Sequence, residues 1–157
     1  MKITRGHHWI KLQWEGHLLP STSNNRTIGR TPRGRPFLMK NLKHQSMLNH
    51  LSQELKATCL KEGITHLSFK NDEVFVLALF PAKNRIWDSH NMSKALGDWL
   101  EDVRIIENDS KAEIICLKKQ DYAVFPKETT DIFIIKRGFT AKLIGKLIDD
   151  IEQITVS

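Results

Sequence analysis

An unbroken apolar run, Val74-Phe75-Val76-Leu77-Ala78-Leu79-Phe80, constrains this chain more than any other feature. No face of such a strand suits water, so it belongs in the middle of a sheet covered on both sides. Pro81 follows it, lacks an amide donor and ends it. The run is far too short to span a bilayer. The opening residues, Met1-Lys2-Ile3-Thr4-Arg5, carry no apolar signal core. These features predict a cytoplasmic protein with no membrane partner. At 157 residues, the chain suits one domain with one core.

Around that strand the pattern alternates between the two regular periods. His8 to Trp14 predicts a first strand, and Gly16 to Pro36 a long polar loop. Asn41 to Glu62 predicts a helix, with Leu48, Leu51, Leu55 and Cys59 on one face and Gly63 as its stop. Thr65 to Phe69 and Val74 to Phe80 predict a hairpin turning at Lys70-Asn71-Asp72. Ser89 to Asp102 predicts a second helix, buried through Met92, Ala95, Leu96, Trp99, Leu100 and Val103. Glu113 to Leu117 and Asp131 to Lys136 predict strands, and Thr140 to Ile151 a last amphipathic helix. The order β, α, β, β, α, β, β, α implies an α+β layer architecture. Cys59 and Cys116 have neither zinc-site nor disulfide-framework spacing and suit small buried hydrophobes.

Charge is unevenly placed. Residues 1–62 hold 11 lysines and arginines against three acids, and residues 63–157 hold 13 against 15. The basic excess of the first part attracts polyanions. Arg26, Arg30, Arg33, Arg35, Lys40 and Lys43 lie in or beside the long loop, with Asn24 and Asn25 before them. Such a set holds phosphates, although a merely solvated loop has the same composition. Phe37 is either the first core residue after the loop or a wedge between bases. His7 and His8 suit a surface position. Trp9, Trp14, Trp87 and Trp99 suit core or dimer contacts.

The residues that point to chemistry are Asp88-Ser89-His90-Asn91-Met92-Ser93-Lys94, between the apolar strand and the second helix. His90 and Lys94 stand one turn apart on its polar face. A second acidic point, Asp109, precedes the next strand. If that strand pairs beside Val74–Phe80, Asp109 can meet Asp88. Phosphodiester hydrolysis needs carboxylates for a hard metal ion and an ammonium for the charge that develops on phosphate. The spacing by itself equally suits a helix N-cap.

The stretch from Asp88 to Ala95, with Asn108-Asp109 fourteen and fifteen residues after Lys94, resembles the RusA family of Holliday junction resolvases. That family's pattern is D-x-D-N-x-x-K-A followed by D-D or N-D. Pro20-Ser21-Thr22-Ser23-Asn24-Asn25-Arg26 is similar to its early P-P-S-x-N segment, and a basic loop and long helix follow in the same order. The resemblance covers roughly residues 8–136. It implies a single RusA-like α+β domain over 1–157, with helices packed on a mixed sheet. The basic DNA-binding loop would span about 16–40, and an added C-terminal helical extension about 139–153. It further implies a homodimer that cuts four-way DNA junctions with Mg²⁺, in recombination and repair, in a phage or prophage setting. Asp88 and Asp109 would be metal ligands, Lys94 the catalytic lysine, and Asn91 the helix-start residue beside the DNA. His90 replaces the family's second aspartate. It can ligate a metal, which favours Mn²⁺, act as general base, or mark a site that binds junctions without cutting. Asp98, Glu101, Asp102 and Glu107 are alternative acids.

Overall fold

The computed structural model describes residues 1–16, 26–40, 42–81, 89–119, 128–142 and 145. Five strands form one mixed sheet: β1 (Lys2–Arg5), β2 (Trp9–Glu15), β5 (Val74–Phe80), β6 (Ala112–Lys118) and β7 (Thr129–Lys136). Their spatial order is β1-β2-β7-β5-β6. All neighbours are antiparallel except β5 and β6, which run parallel from Val74↔Ala112 to Phe80↔Lys118. A parallel pair needs a crossover. It contains α2 (Ser89–Asp102) and a short 3-10 turn, Asp109–Lys111. A separate two-stranded ribbon, β3 (Arg26–Arg30) and β4 (Pro36–Lys40), precedes α1 (Leu42–Lys61).

Side-chain alternation divides the sheet into two apolar faces. One face carries Ile10, Leu12, Trp14, Val74, Val76, Ala78, Phe80, Ile132 and Ile134. Against it pack Leu51 and Leu55 of α1, and Leu96, Trp99 and Leu100 of α2. The Trp99 indole donates to Ser52 Oγ at 3.1 Å and meets Trp14 edge-on at 5.9 Å. The buried indole N–H therefore has its acceptor. The other face gathers Phe75, Phe133 and Ile135, with Trp9, Leu77 and Leu79 beside them. The apolar run of β5 thus feeds both faces, as its composition requires. Cys116 is buried, Cys59 is half-buried, and both thiols are free. Burial pushes both thiols upward in pKa.

α1 and α2 follow the sequence reading closely, and Gly63 ends α1. Its φ of +64° takes the left-handed conformation, while Ile64 N–H closes onto Cys59 C=O at 2.8 Å. Other expectations need correction. Residues 64–69 form no strand, so the predicted hairpin with Val74–Phe80 does not exist. Both edges of β5 are already taken by β7 and β6. Phe69 is instead buried, with its amide bonded to Ile105 C=O at 2.8 Å. The element order therefore begins with four strands. β1 adds to β2 as an edge strand, and the loop expected to run to Pro36 becomes the ribbon from Arg26 onward. His8 is not simply a surface residue, because its ring stacks on Phe139 at 3.7 Å. Of the expected C-terminal helix, residues 140–142 and 145 are helical and the rest lies outside the described residues. Among the described residues, no helix is long and apolar enough to cross a membrane.

A buried polar cluster fastens the end of β5. Lys119 donates its backbone N–H to Phe80 C=O at 2.8 Å. Its ammonium bonds Asp131 and Thr129, with 3% of Lys119 and none of Asp131 exposed. Lys11 meets the same carboxylate at 2.9 Å, and Gln13 donates to it at 2.7 Å. Burial pulls the Asp131 carboxyl upward in pKa. Hydrogen bonds from Lys119, Lys11 and Thr129, with the Lys11 charge, outweigh that pull and hold it below its ordinary value.

Candidate functional site

The crossover from β5 to β6 carries the residues singled out for chemistry. β5 ends at Phe80 and Pro81 is buried. Asp88 and Trp87 lie outside the described residues. The chain enters α2 at Ser89, so His90 and Asn91 occupy its first turn; their side chains also lie outside the description. Lys94 stands one turn further on and is exposed. Positions 90, 94 and 97 follow the i+4 and i+3 spacings of one helix stripe.

Gly97 makes that stripe useful. A Cβ at this position would sit 3.1 Å from Ile114 Cδ1 and 3.4 Å from Asp109 Cβ. The missing side chain therefore lets the 3-10 turn and the start of β6 lie close against the middle of α2. Asn108 caps the turn by accepting from the Ser110 amide at 2.8 Å, which fixes Asp109 beside Gly97. Asp109 and Lys94 are both exposed, and among the described residues neither side chain has an ion-pair or hydrogen-bond partner. Lys94 and Gly97 differ by about 4.5 Å along the axis.

The strand adjacency expected for Asp109 is present, since β6 pairs beside β5. The expected meeting of Asp109 with Asp88 falls on a residue outside the described ones. Parallel pairing sets Asp109 at the end of the sheet where β5 begins. Asp109 therefore faces the middle of α2, about 10 Å along the axis from position 90. Among the described residues no three His, Cys, Asp or Glu side chains converge. Asp109 is the one proposed ligand whose side chain is described. Its carboxylate is exposed, has no partner among the described residues, and is a hard oxygen donor of the kind Mg²⁺ takes.

The alternative acids divide. Glu107 is engaged by Lys111 at 2.7 Å, and that hydrogen bond, then the lysine charge, lowers its pKa. Asp98, Glu101 and Asp102 are exposed on α2, and Asp98 forms no ion pair with Lys94, one turn away. Gly97 escaped the sequence reading. Its signal was a lone glycine inside an otherwise regular amphipathic helix, which asks for a packing reason. Gly97→Leu is expected to cost about 1–3 kcal/mol by overpacking against Ile114. It should also displace Asp109, so any metal-dependent nicking should fall further than stability does. Urea unfolding and a nicking assay on the same preparation check this.

The basic residues sit largely on the ribbon. Its register runs Arg26↔Lys40, Gly29↔Phe37, Arg30↔Pro36. Thr31 and Arg35 close the turn, with the Thr31 amide on Arg35 C=O at 2.9 Å and the Arg35 amide on Thr31 Oγ1 at 3.1 Å. Gly34 takes φ +77° within it. Arg30, Arg33 and Arg35 are exposed around this turn. Asn24 and Asn25 lie outside the described residues, as do the side chains of Arg26 and Lys40.

Fold and site together define a small α+β protein with helices packed on a mixed sheet. No family model and no curated protein matches the chain. Among solved structures, the periplasmic domain of Helicobacter pylori MotB is similar at 9% identity and a TM-score of 0.39, over 94% of this chain and 86% of that one. A likeness that distant carries no argument about fold or function.

Proposed function

We propose that the chain is a structure-selective endonuclease that hydrolyses phosphodiesters at four-way DNA junctions with a divalent metal. The observation that carries this is the seating of Asp109 against Gly97 on α2, with Lys94 one turn away and neither side chain paired among the described residues. The RusA-like pattern of Asp88, His90, Asn91 and Lys94 at the start of the same helix supports it. Asp88, His90 and Asp109 would hold Mg²⁺, or Mn²⁺ given the imidazole. When bound, such an ion polarises the scissile phosphate and lowers the pKa of a bound water. Lys94 offsets negative charge on the phosphate oxygens. Asn91 orders the helix start beside the DNA, and the ribbon arginines hold phosphates of the arms. A homodimer would set two such sites against the twofold symmetry of a four-way junction.

Two observations favour a second reading, a branched-DNA-binding protein that does not cut. His90 stands where the resembled pattern has an aspartate, and Asp109 lies about 10 Å along α2 from it. Comparing wild type with His90→Asp on a synthetic junction separates the readings. The nuclease reading expects wild type to cut best with Mn²⁺, and the variant to gain about tenfold in relative Mg²⁺ activity. A wild type that binds junctions tightly and cuts with neither ion would establish the second reading.

A further inference from the structure

The β3–β4 ribbon takes no part in the cutting chemistry, yet its charge, shape and exposure point one way. Between Glu15 and Glu54 the sequence has no acid and six lysines or arginines, so the ribbon and its flanks present one sign of charge. A partner that complements it is a polyanion. The ribbon is a sheet of its own, and two-stranded ribbons of this kind fit a DNA groove. Such a ribbon is only marginally stable alone, which suits an element completed by its partner. Ile28 is 73% exposed and Phe37 is 47% exposed. Phe37 pairs with Gly29, so no cross-strand side chain covers its ring from that position. An exposed aromatic among arginines suits a base that has left its stack.

We propose that this ribbon recognises the branch point itself. Arg30, Arg33 and Arg35 grip phosphates on the arms, and Phe37 stacks on a base at the crossover where pairing partners part. The inference rests on the junction reading above and deepens it by assigning selection of branched over linear DNA to the ribbon. Continuous duplex must be unstacked before a ring can enter, whereas a crossover already offers weakly stacked bases.

The test measures binding of wild type, Phe37→Ala, Phe37→Trp and Arg33→Ala to a four-way junction and to linear duplex. Metal is omitted to prevent cutting, and 2-aminopurine is placed at each crossover base. Wild type should change the 2-aminopurine signal at one or more crossover positions. Phe37→Ala should lose that change and about tenfold of junction affinity, while duplex affinity stays within about twofold. Phe37→Trp should keep both. Arg33→Ala should weaken both DNAs and lower the slope of log affinity against log salt by about one. Wild-type junction preference with Phe37→Ala unchanged in signal and affinity would overturn this inference alone. A wild type with no preference for the junction would overturn the junction reading and this inference with it. Tighter binding to hairpin RNA than to either DNA would do the same.

Discussion

Asp109→Asn is expected to lower metal-dependent nicking of a four-way junction by about a hundredfold or more, while junction binding stays within a few fold. Disturbing groups that merely support a metal ligand costs about 10–100-fold, so removing a ligand should cost at least that. The carboxylate is exposed and has no partner among the described residues, so its loss should not unfold the protein. The amide is nearly isosteric, so Asp109 Cβ keeps its place beside Gly97. Glu107→Gln is the matched control two residues earlier. Its carboxylate is engaged by Lys111 at 2.7 Å, so nicking should stay within about twofold. Single-turnover nicking alongside gel-shift binding reads both quantities. Full activity in Asp109→Asn would remove Asp109 from the metal site.

The second large effect concerns stability. Asp131→Ala is expected to destabilise the fold by about 3–5 kcal/mol, because it takes the carboxylate away from a buried ammonium. Lys119 is 3% exposed, and its acceptors include Asp131 and Thr129. The Thr129 oxygens are neutral and cannot replace a carboxylate. Restoring shape without charge should recover much of the loss, since well-packed apolar groups often equal a buried ion pair. Asp131→Leu combined with Lys119→Met should therefore be more stable than Asp131→Ala alone. Urea unfolding at neutral pH measures all three proteins. A loss below about 1 kcal/mol would mean that solvent reaches the cluster.

The same carboxylate sets a pH dependence. Its folded pKa is lowered, so its contribution is complete above the unfolded value of about 3.9. It is lost as pH falls from there through the folded pKa. Wild type should therefore lose its advantage over Asp131→Ala only in acid.

The parts of this fold that the sequence disclosed are those governed by local periodicity. α2 is legible because Met92, Leu96, Trp99 and Leu100 recur at helical spacing, and all four are buried. β5 reads as a central strand because nothing in it tolerates water. Its partners are not legible, because β7 lies some fifty residues downstream and pairing over that distance leaves no local mark. Ile64, Leu67 and Phe69 imitate a strand, yet the burial of Phe69 is achieved with its amide on Ile105 rather than in a ladder. β1 has only Ile3 buried and escapes an alternation test, as short edge strands do. The ribbon escapes because Ile28 and Phe37 serve no core.

For the candidate site, the division is similar. The exposed face of α2 with Lys94, and the strand beside β5, follow from pattern. The seating of Asp109 depends on the absence of a side chain at Gly97, which no periodicity reports. The Lys119–Asp131 pair was equally hidden, since each looks like an ordinary strand-flanking charge until both are buried.

The most direct test of the proposed function is a nicking assay on a synthetic four-way junction against linear duplex. It uses Mg²⁺, Mn²⁺ or EDTA, with wild type and Asp88→Asn. Paired, symmetric cuts are expected in the junction alone, dependent on metal and lost in Asp88→Asn. Junction cutting that persists in Asp88→Asn, or no cutting by wild type with either metal, would contradict the proposed function.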